Sequence, residues 1–179
     1  MNLMGKGNTA AYAVTVYRPR QEVYSFWREW QNIPRFARHL KSVEDLGDGK
    51  TRWTAVGPKE EDVVWEATTI EDIPGELITW RSIGDADVPN EGKVVFCDAP
   101  MDRGTQVIAQ LAYGIPYGLA GKVAAKASGT APEAEVGETM RRFKALLECG
   151  ELPINEGQPS NIMRGDNMPG DESPKAGLR

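Results

Sequence analysis

The chain contains few of the residues that many small proteins use for disulfide bonds, metal binding or catalysis. Its 179 residues include two cysteines and one histidine. Cys97 and Cys149 lie far apart without a CxxC spacing, which predicts reduced thiols rather than a disulfide framework or a zinc site. His39 stands beside Arg38 and Lys41 at a predicted exposed helix end, which favours a solvated residue over a general base. We therefore predict no metal, no cofactor and no catalytic residue, and we favour a protein that is not an enzyme.

Excess basic charge and long hydrophobic runs are also missing. The chain has 21 basic and 26 acidic residues, a net charge of −5, which argues against a nucleic-acid partner. No run approaches the roughly 18 apolar residues that a membrane-spanning helix needs. Residues 1–9 contain no hydrophobic segment of the kind found in secretion signals, so we expect a cytoplasmic protein. With 40% apolar residues, the chain can form one hydrophobic core without disulfide bonds or metal ions.

Hydropathy patterns divide the chain into one domain, residues 10–152, between two tails that we expect to be disordered, residues 1–9 and 153–179. Alternation over Ala11–Tyr17 predicts a strand. Val23, Phe26, Trp27 and Trp30 then follow helical spacing after Pro19, and a second short helix is predicted from about Pro34 to Leu40. Six further strands are predicted at Ser42–Leu46, Thr51–Val56, Val63–Ile70, Leu77–Ile83, Gly92–Cys97 and Thr105–Tyr113.

The last element has a different period. A segment of small residues, Leu119–Ala127, precedes a long helix that opens at Glu133. Its apolar residues Val136, Met140, Phe143 and Leu147 form one stripe, and Gly150 is a natural helix end. The complete order is a strand, two short helices, a six-stranded antiparallel meander and a long C-terminal helix.

Short motifs occur at several points of this order. They are Pro19 to Trp27, Asn32-Ile33-Pro34-Arg35-Phe36, Ser42-Val43-Glu44, Trp65-Glu66-Ala67, Ile78-Thr79-Trp80-Arg81-Ser82, Gly104-Thr105 and Arg142-Phe143-Lys144. On these motifs and this order the chain resembles the START-like (SRPBCC) superfamily, in its polyketide cyclase/dehydrase and coenzyme Q-binding branch. The resemblance covers roughly residues 10–152. It implies an α+β helix-grip fold, in which a curved antiparallel sheet of about seven strands wraps around a long C-terminal helix.

The resemblance also implies a mostly apolar cavity that holds a lipid, a quinone or a polyketide. We therefore predict binding, sequestration or transfer of such a hydrophobic small molecule. A polyketide cyclase or dehydratase is one alternative, and a membrane or protein docking module is another. The predicted ligand-binding residues are Phe36, Trp53, Trp65, Trp80, Phe96, Ala109, Tyr113, Met140 and Phe143.

Three tryptophans occupy consecutive predicted strands, each beside a charged residue, in the pairs Arg52-Trp53, Trp65-Glu66 and Trp80-Arg81. Because side chains alternate across a strand, the tryptophans can share the inner face with the charges outside. The sequence does not decide which face carries them. The aromatic residues then form either a ligand cage or an ordinary core. If the faces are reversed, Glu66, Glu44 or Arg81 points inward, and a buried acid could serve as a proton donor.

The first helix offers a different use for aromatic residues. Phe26, Trp27 and Trp30, with Arg28 and Arg35 nearby, would suit transient contact with a membrane interface, where tryptophan is favoured. The competing interpretation, which we prefer, packs this stripe against the sheet. The oligomeric state is not indicated by the sequence.

Overall fold

A computed structural model describes residues 8–56, 61–86, 89–113 and 132–151. Most of the predicted N-terminal tail, the whole predicted C-terminal tail and the small-residue segment Leu119–Ala127 lie outside these ranges. Asn8 and Thr9, which were predicted in the tail, already belong to the first strand. No helix within the described ranges is long and apolar enough to cross a membrane.

The described elements follow the predicted order. They are β1 Asn8–Val16, α1 Arg20–Arg28, a 3-10 turn Trp30–Asn32, α2 Ile33–Phe36, β2 Leu40–Gly47, β3 Lys50–Val56, β4 Asp62–Ile73, β5 Leu77–Ile83, β6 Asn90–Asp98, a 3-10 turn Pro100–Asp102, β7 Thr105–Tyr113 and α3 Pro132–Cys149.

The second short helix is the element that the sequence pattern misjudged most. It ends at Phe36 rather than near Leu40, because Ala37 leaves the helical region at φ −95° and ψ 93°. Two residues later the backbone is already part of the sheet, since the carbonyl oxygen of His39 accepts a hydrogen bond from the amide of Val56. Pairing with β3 thus replaces the helical hydrogen bonds that this stretch would otherwise make.

All strands form one antiparallel sheet in the order β1-β7-β6-β5-β4-β3-β2, so the first strand joins the last. This is the predicted helix-grip sheet. The β2–β3 hairpin turns through Gly47, Asp48 and Gly49, all with positive φ. The Asp-Gly pair favours this geometry because glycine, and to a lesser degree aspartate, tolerates left-handed backbone.

Helix α3 packs mainly on β1 and is tied to it by polar contacts near its C-terminal end. Lys144 Nζ donates to the carbonyl oxygen of Thr15 at 2.5 Å, and the Tyr17 amide donates to Glu148 Oε1 at 2.7 Å. Arg18 Nε donates to the carbonyl oxygen of Leu147 at 3.0 Å, which satisfies a group that helix geometry leaves unpaired. The helix therefore lies over the β1–β7 side of the sheet.

An aromatic cluster fills the space where α1, α2 and α3 meet the sheet. The ring of Phe143 lies 4.9 Å from Trp27 and 5.0 Å from Phe36, both at steep angles. Phe96 of β6 joins through Trp27 at 6.4 Å. Phe36, Phe96 and Phe143 are all buried, so this end of the concave surface is solid core.

Candidate functional site

The three tryptophans share the concave face of the sheet. Trp53 pairs directly with Trp65 across β3 and β4, and their rings stack at 6.1 Å with 12° between planes. Trp80 of β5 stacks on Trp53 at 6.2 Å and 15°. We call Trp65, Trp53 and Trp80, with Trp53 in the middle, the tryptophan stack. The open question of which face carries these residues is settled by this geometry.

Small residues on neighbouring strands make the stack possible. Trp53 Nε1 donates to Thr51 Oγ1 at 2.8 Å, which directs the indole along β3 toward the level of Ala67. Ala67 is fully buried on the inward row of β4, where its small side chain leaves room for rings from β3 and β5 to meet. Gly92 lies opposite Trp80, and a Cβ at Gly92 would stand 2.0 Å from Trp80 Cζ2. The tryptophan stack therefore depends on the small side chain of Ala67 and on the absence of a side chain at Gly92.

The charged neighbours of the tryptophans point to the outer face, as alternation requires. Arg52 Nη2 donates to Glu66 Oε1 at 2.9 Å on this surface. Arg81 pairs instead with Glu91 of β6, at 3.3 Å, and the Glu91 side chain is 1% exposed. The alternative with an inward-facing Glu66, Glu44 or Arg81 is therefore wrong. The buried acid of this sheet is Glu91, on the outer face, and sequence patterning did not single it out.

The predicted site residues separate into two groups by burial. Phe36, Phe96, Met140 and Phe143 are at most 2% exposed and belong to the aromatic core. Trp65 and Trp80 are only half-buried, as are Tyr12 and Leu111 on the facing rows of β1 and β7 and Val136 on α3. Trp53 and Ala109 are buried between the two groups. The side chain of Tyr113 lies outside the described residues.

The aromatic residues of the first helix are not available for docking. Trp27 is 5% exposed and Trp30 is 3% exposed, and Phe26 packs against Phe36 and Phe143 at 6.5 and 6.2 Å. Arg28 covers the Trp30 ring at 5.0 Å. The burial of Trp27 and Trp30 argues against contact of this stripe with a membrane or a protein partner, and Phe26 is half-buried.

A β-bulge at Ile70 re-aims an acidic residue toward the concave side. Thr69 pairs with Trp80 but Glu71 pairs with Thr79, so Asp72 shares the face of Ile78 rather than alternating outward. Asp72 accepts hydrogen bonds from Tyr24 and Arg28 of α1, both at 2.5 Å. Burial, together with the hydrogen bond and the negative charge of Asp72, raises the pKa of Tyr24 to about 12. Tyr24 is thus a donor at neutral pH.

The single histidine is partly covered rather than free in solvent. His39 Nδ1 lies 3.1 Å from Glu135 Oε1 of α3. Burial lowers the pKa of His39, and the opposing effect of the Glu135 charge does not cancel it. His39 therefore favours its neutral form more than a free imidazole does, and its partner lies on α3. No group of three or more metal-ligating side chains occurs among the residues described.

Comparison with known proteins places this geometry in a family. The family model for polyketide cyclase/dehydrase and lipid transport matches residues 16–136. A crystal structure of a Deinococcus radiodurans protein is 34% identical, with a TM-score of 0.66, over 80% of this chain and 100% of the other.

Two more distant matches share part of the sequence or the fold. An uncharacterized 17.2 kDa protein of Streptomyces lincolnensis is 26% identical over 76% of this chain and 87% of its own length. A START superfamily protein of Mycobacterium smegmatis shares the fold, with a TM-score of 0.57 and 15% identity over 80% of this chain and 97% of the other. The chain belongs to the polyketide cyclase/dehydrase and lipid transport family, with the START-like helix-grip fold.

Proposed function

We propose that this protein binds a hydrophobic small molecule, such as a lipid, a quinone or a polyketide, and sequesters it or hands it on. We place the site on the inner face of β3, β4 and β5, beside the tryptophan stack. The observation that carries this proposal is the partial exposure of Trp65 and Trp80, with Tyr12 of β1 also half-buried on the same face, whereas Trp53 and Phe96 are buried. Contiguous apolar surface that stays exposed is typical of ligand-binding and interaction sites.

The chemistry of the walls supports the same proposal. The polar side chains on the inward rows of β3, β4 and β5 include Thr51, Thr69, Asp72 and Ser82, and the remainder are mostly apolar. Such a surface supplies affinity by removing apolar area from water, about 25 cal/mol for each Å². A few hydrogen-bonding groups then fix orientation.

The family description also names cyclases and dehydrases, but the arrangement gives such chemistry little support. A cyclase needs at least two polar groups that converge on the substrate. Glu66 and Arg81 face outward, and the inward group, Asp72, is engaged by Tyr24 and Arg28. Binding without catalysis is therefore the function that we favour.

Ligand uptake tests the proposal directly. We expect N-phenyl-1-naphthylamine, a neutral fluorescent probe, to bind with about one molecule per chain and with increased emission. Trp80→Ala removes a half-buried wall of the site and should weaken binding about tenfold or more, since burying a large side chain is worth several kcal/mol. Trp80→Ala is a better variant than Phe143→Ala, because Phe143 is core and its truncation costs about 3–5 kcal/mol of stability.

Val64→Ala is the matched control. Val64 lies on β4 next to Trp65 but is 43% exposed on the outer face, so its truncation should leave binding unchanged. Absence of probe uptake, together with native mass spectra that show only the unliganded mass after expression in cells, would remove the basis of the proposal. Equal weakening in Val64→Ala and Trp80→Ala would also contradict it.

A further inference from the structure

The indole nitrogen of Trp65 is a buried hydrogen-bond donor without an acceptor. Trp65 Nε1 is one of two buried side-chain nitrogens of the described residues that lack a partner; the other is Trp27 Nε1, deep in the aromatic core. Trp53 Nε1 differs, because Thr51 Oγ1 accepts from it. A buried unpaired donor costs roughly 1–3 kcal/mol, so proteins rarely leave one at a site without a use for it.

Water does not provide the missing acceptor. Trp65 Nε1 is closed to a water-sized sphere, although other parts of the same ring are exposed. A molecule that enters beside the stack must therefore displace the atoms over Nε1 before it can accept the hydrogen bond. That displacement is favoured if the molecule brings an acceptor, because it removes the cost of the unpaired donor.

The inward rows also restrict the charge of that molecule. On the described rows of β3, β4 and β5 the charged side chain is Asp72, which is paired with Arg28. Arg141 is the cation near the facing rows, and it lies at the rim, 5.7 Å over the Tyr12 ring. A carboxylate beside Trp65 would be desolvated without a cationic partner, which is strongly unfavourable. A neutral oxygen fits this position.

We propose that Trp65 is the residue that selects the ligand, by donating Nε1–H to a neutral carbonyl oxygen such as that of a quinone or an aryl ketone. The proposal rests on the binding function argued above and narrows its ligand class. Saturated or aromatic hydrocarbons without a carbonyl would leave the donor unpaired, and fatty acids would place an anion beside it.

Four matched probes test this selection by isothermal titration calorimetry. They are 2,3-dimethyl-1,4-naphthoquinone, 2-acetylnaphthalene, 2,3-dimethylnaphthalene and 2-naphthoate. The quinone is substituted at both ring positions that would add a thiol, so Cys97 and Cys149 do not react with it. We expect the two carbonyl compounds to bind about three- to tenfold tighter than the hydrocarbon, and the anion to bind most weakly.

The variant Trp65→Phe keeps an aromatic ring and removes the donor. We expect it to abolish the preference for a carbonyl, while affinity for 2,3-dimethylnaphthalene changes by less than about twofold. Indole ¹H–¹⁵N spectra give an independent readout, because the chain has five tryptophans and Trp65→Phe identifies one signal. That signal should shift downfield with the quinone or the ketone and stay in place with the hydrocarbon.

The outcomes separate this inference from the function on which it rests. If no probe binds, both are overturned. If all neutral probes bind equally and Trp65→Phe leaves their ratio unchanged, the binding function stands and the role of Trp65 is refuted. Tightest binding by 2-naphthoate would also refute it, with Arg141 as the partner that the result would indicate. If only one of the two carbonyl compounds binds more tightly than the hydrocarbon, the role of Trp65 as a donor is supported. The compound that is preferred then indicates whether the ligand class is a quinone or an aryl ketone.

Discussion

A methyl group added at Gly92 would occupy the space of the Trp80 ring. The Cβ of an alanine there would stand 2.0 Å from Trp80 Cζ2 and 2.4 Å from Trp80 Cε2, far inside van der Waals contact. The ring must move, and Trp80 then leaves its stacking position on Trp53. Overpacking of this kind typically costs about 1–3 kcal/mol. We expect Gly92→Ala to lower the free energy of unfolding by this amount.

The same substitution should have the opposite effect once the ring is gone. In a Trp80→Ala background, Gly92→Ala meets no indole, and replacing a strand glycine by alanine is favourable by about 0.5–1 kcal/mol. The coupling energy between the two sites is therefore about 1.5–4 kcal/mol, as large as or larger than is usual for residues in direct contact.

Urea unfolding of the parent, both single variants and the double variant measures this cycle. Near-ultraviolet circular dichroism of the folded variants reports whether the indoles still stack. If Gly92→Ala costs the same with and without the Trp80 ring, or if it leaves the aromatic signal unchanged, the reasoning about the stack is refuted.

Two further predictions concern the frame that holds the site. Burial would raise the pKa of Glu148, but hydrogen bonds from Lys144 and the Tyr17 amide and the charges of Lys144 and Arg18 lower it overall. The stabilisation that Glu148 provides is therefore present above its unfolded pKa and is lost as pH falls through its folded pKa. Glu148→Gln should therefore lower the free energy of unfolding by about 1–2 kcal/mol at pH 7 and by much less near pH 3, as measured by urea titration. An equal loss at both pH values would contradict this reasoning. Gly104→Ala should cost about 3 kcal/mol or more in thermal unfolding, because its φ is +89° and its Cβ would stand 2.2 Å from the carbonyl oxygen of Val16. Gly47→Ala is the control for backbone strain alone, because Gly47 has φ +82° and open space around a Cβ. It should cost about 1 kcal/mol. Similar losses of stability in Gly47→Ala and Gly104→Ala would exclude a contribution from the collision with the carbonyl oxygen of Val16.

Much of the fold was predictable because periodicity is a local property. The bounds of β5 and β7 agree with the sequence pattern residue for residue. The long C-terminal helix and its buried stripe, Met140, Phe143 and Leu147, were also predicted. The order of these elements was sufficient to indicate the helix-grip fold.

The errors occurred where distant chain segments determine the local structure. The stretch after Phe36 favours a helix by itself, but pairing with β3 draws it into the sheet. Asp72 lies beyond the predicted strand end at Ile70, and the bulge opposite Thr79 directs it toward α1. Glu91 is buried in the folded structure, and no local sequence pattern indicates this.

The sequence by itself determined the elements, their order and the alternation that puts Trp53, Trp65 and Trp80 on one side of their strands. Tertiary structure decided which side that is, because the choice of concave face depends on how the sheet closes over its helix. It also decided that the Trp65 nitrogen lacks an acceptor while the Trp53 nitrogen has Thr51. A hydrogen bond forms only when the donor and the acceptor are placed to within a few tenths of an ångström. These atomic positions are fixed only after all the strands have packed together.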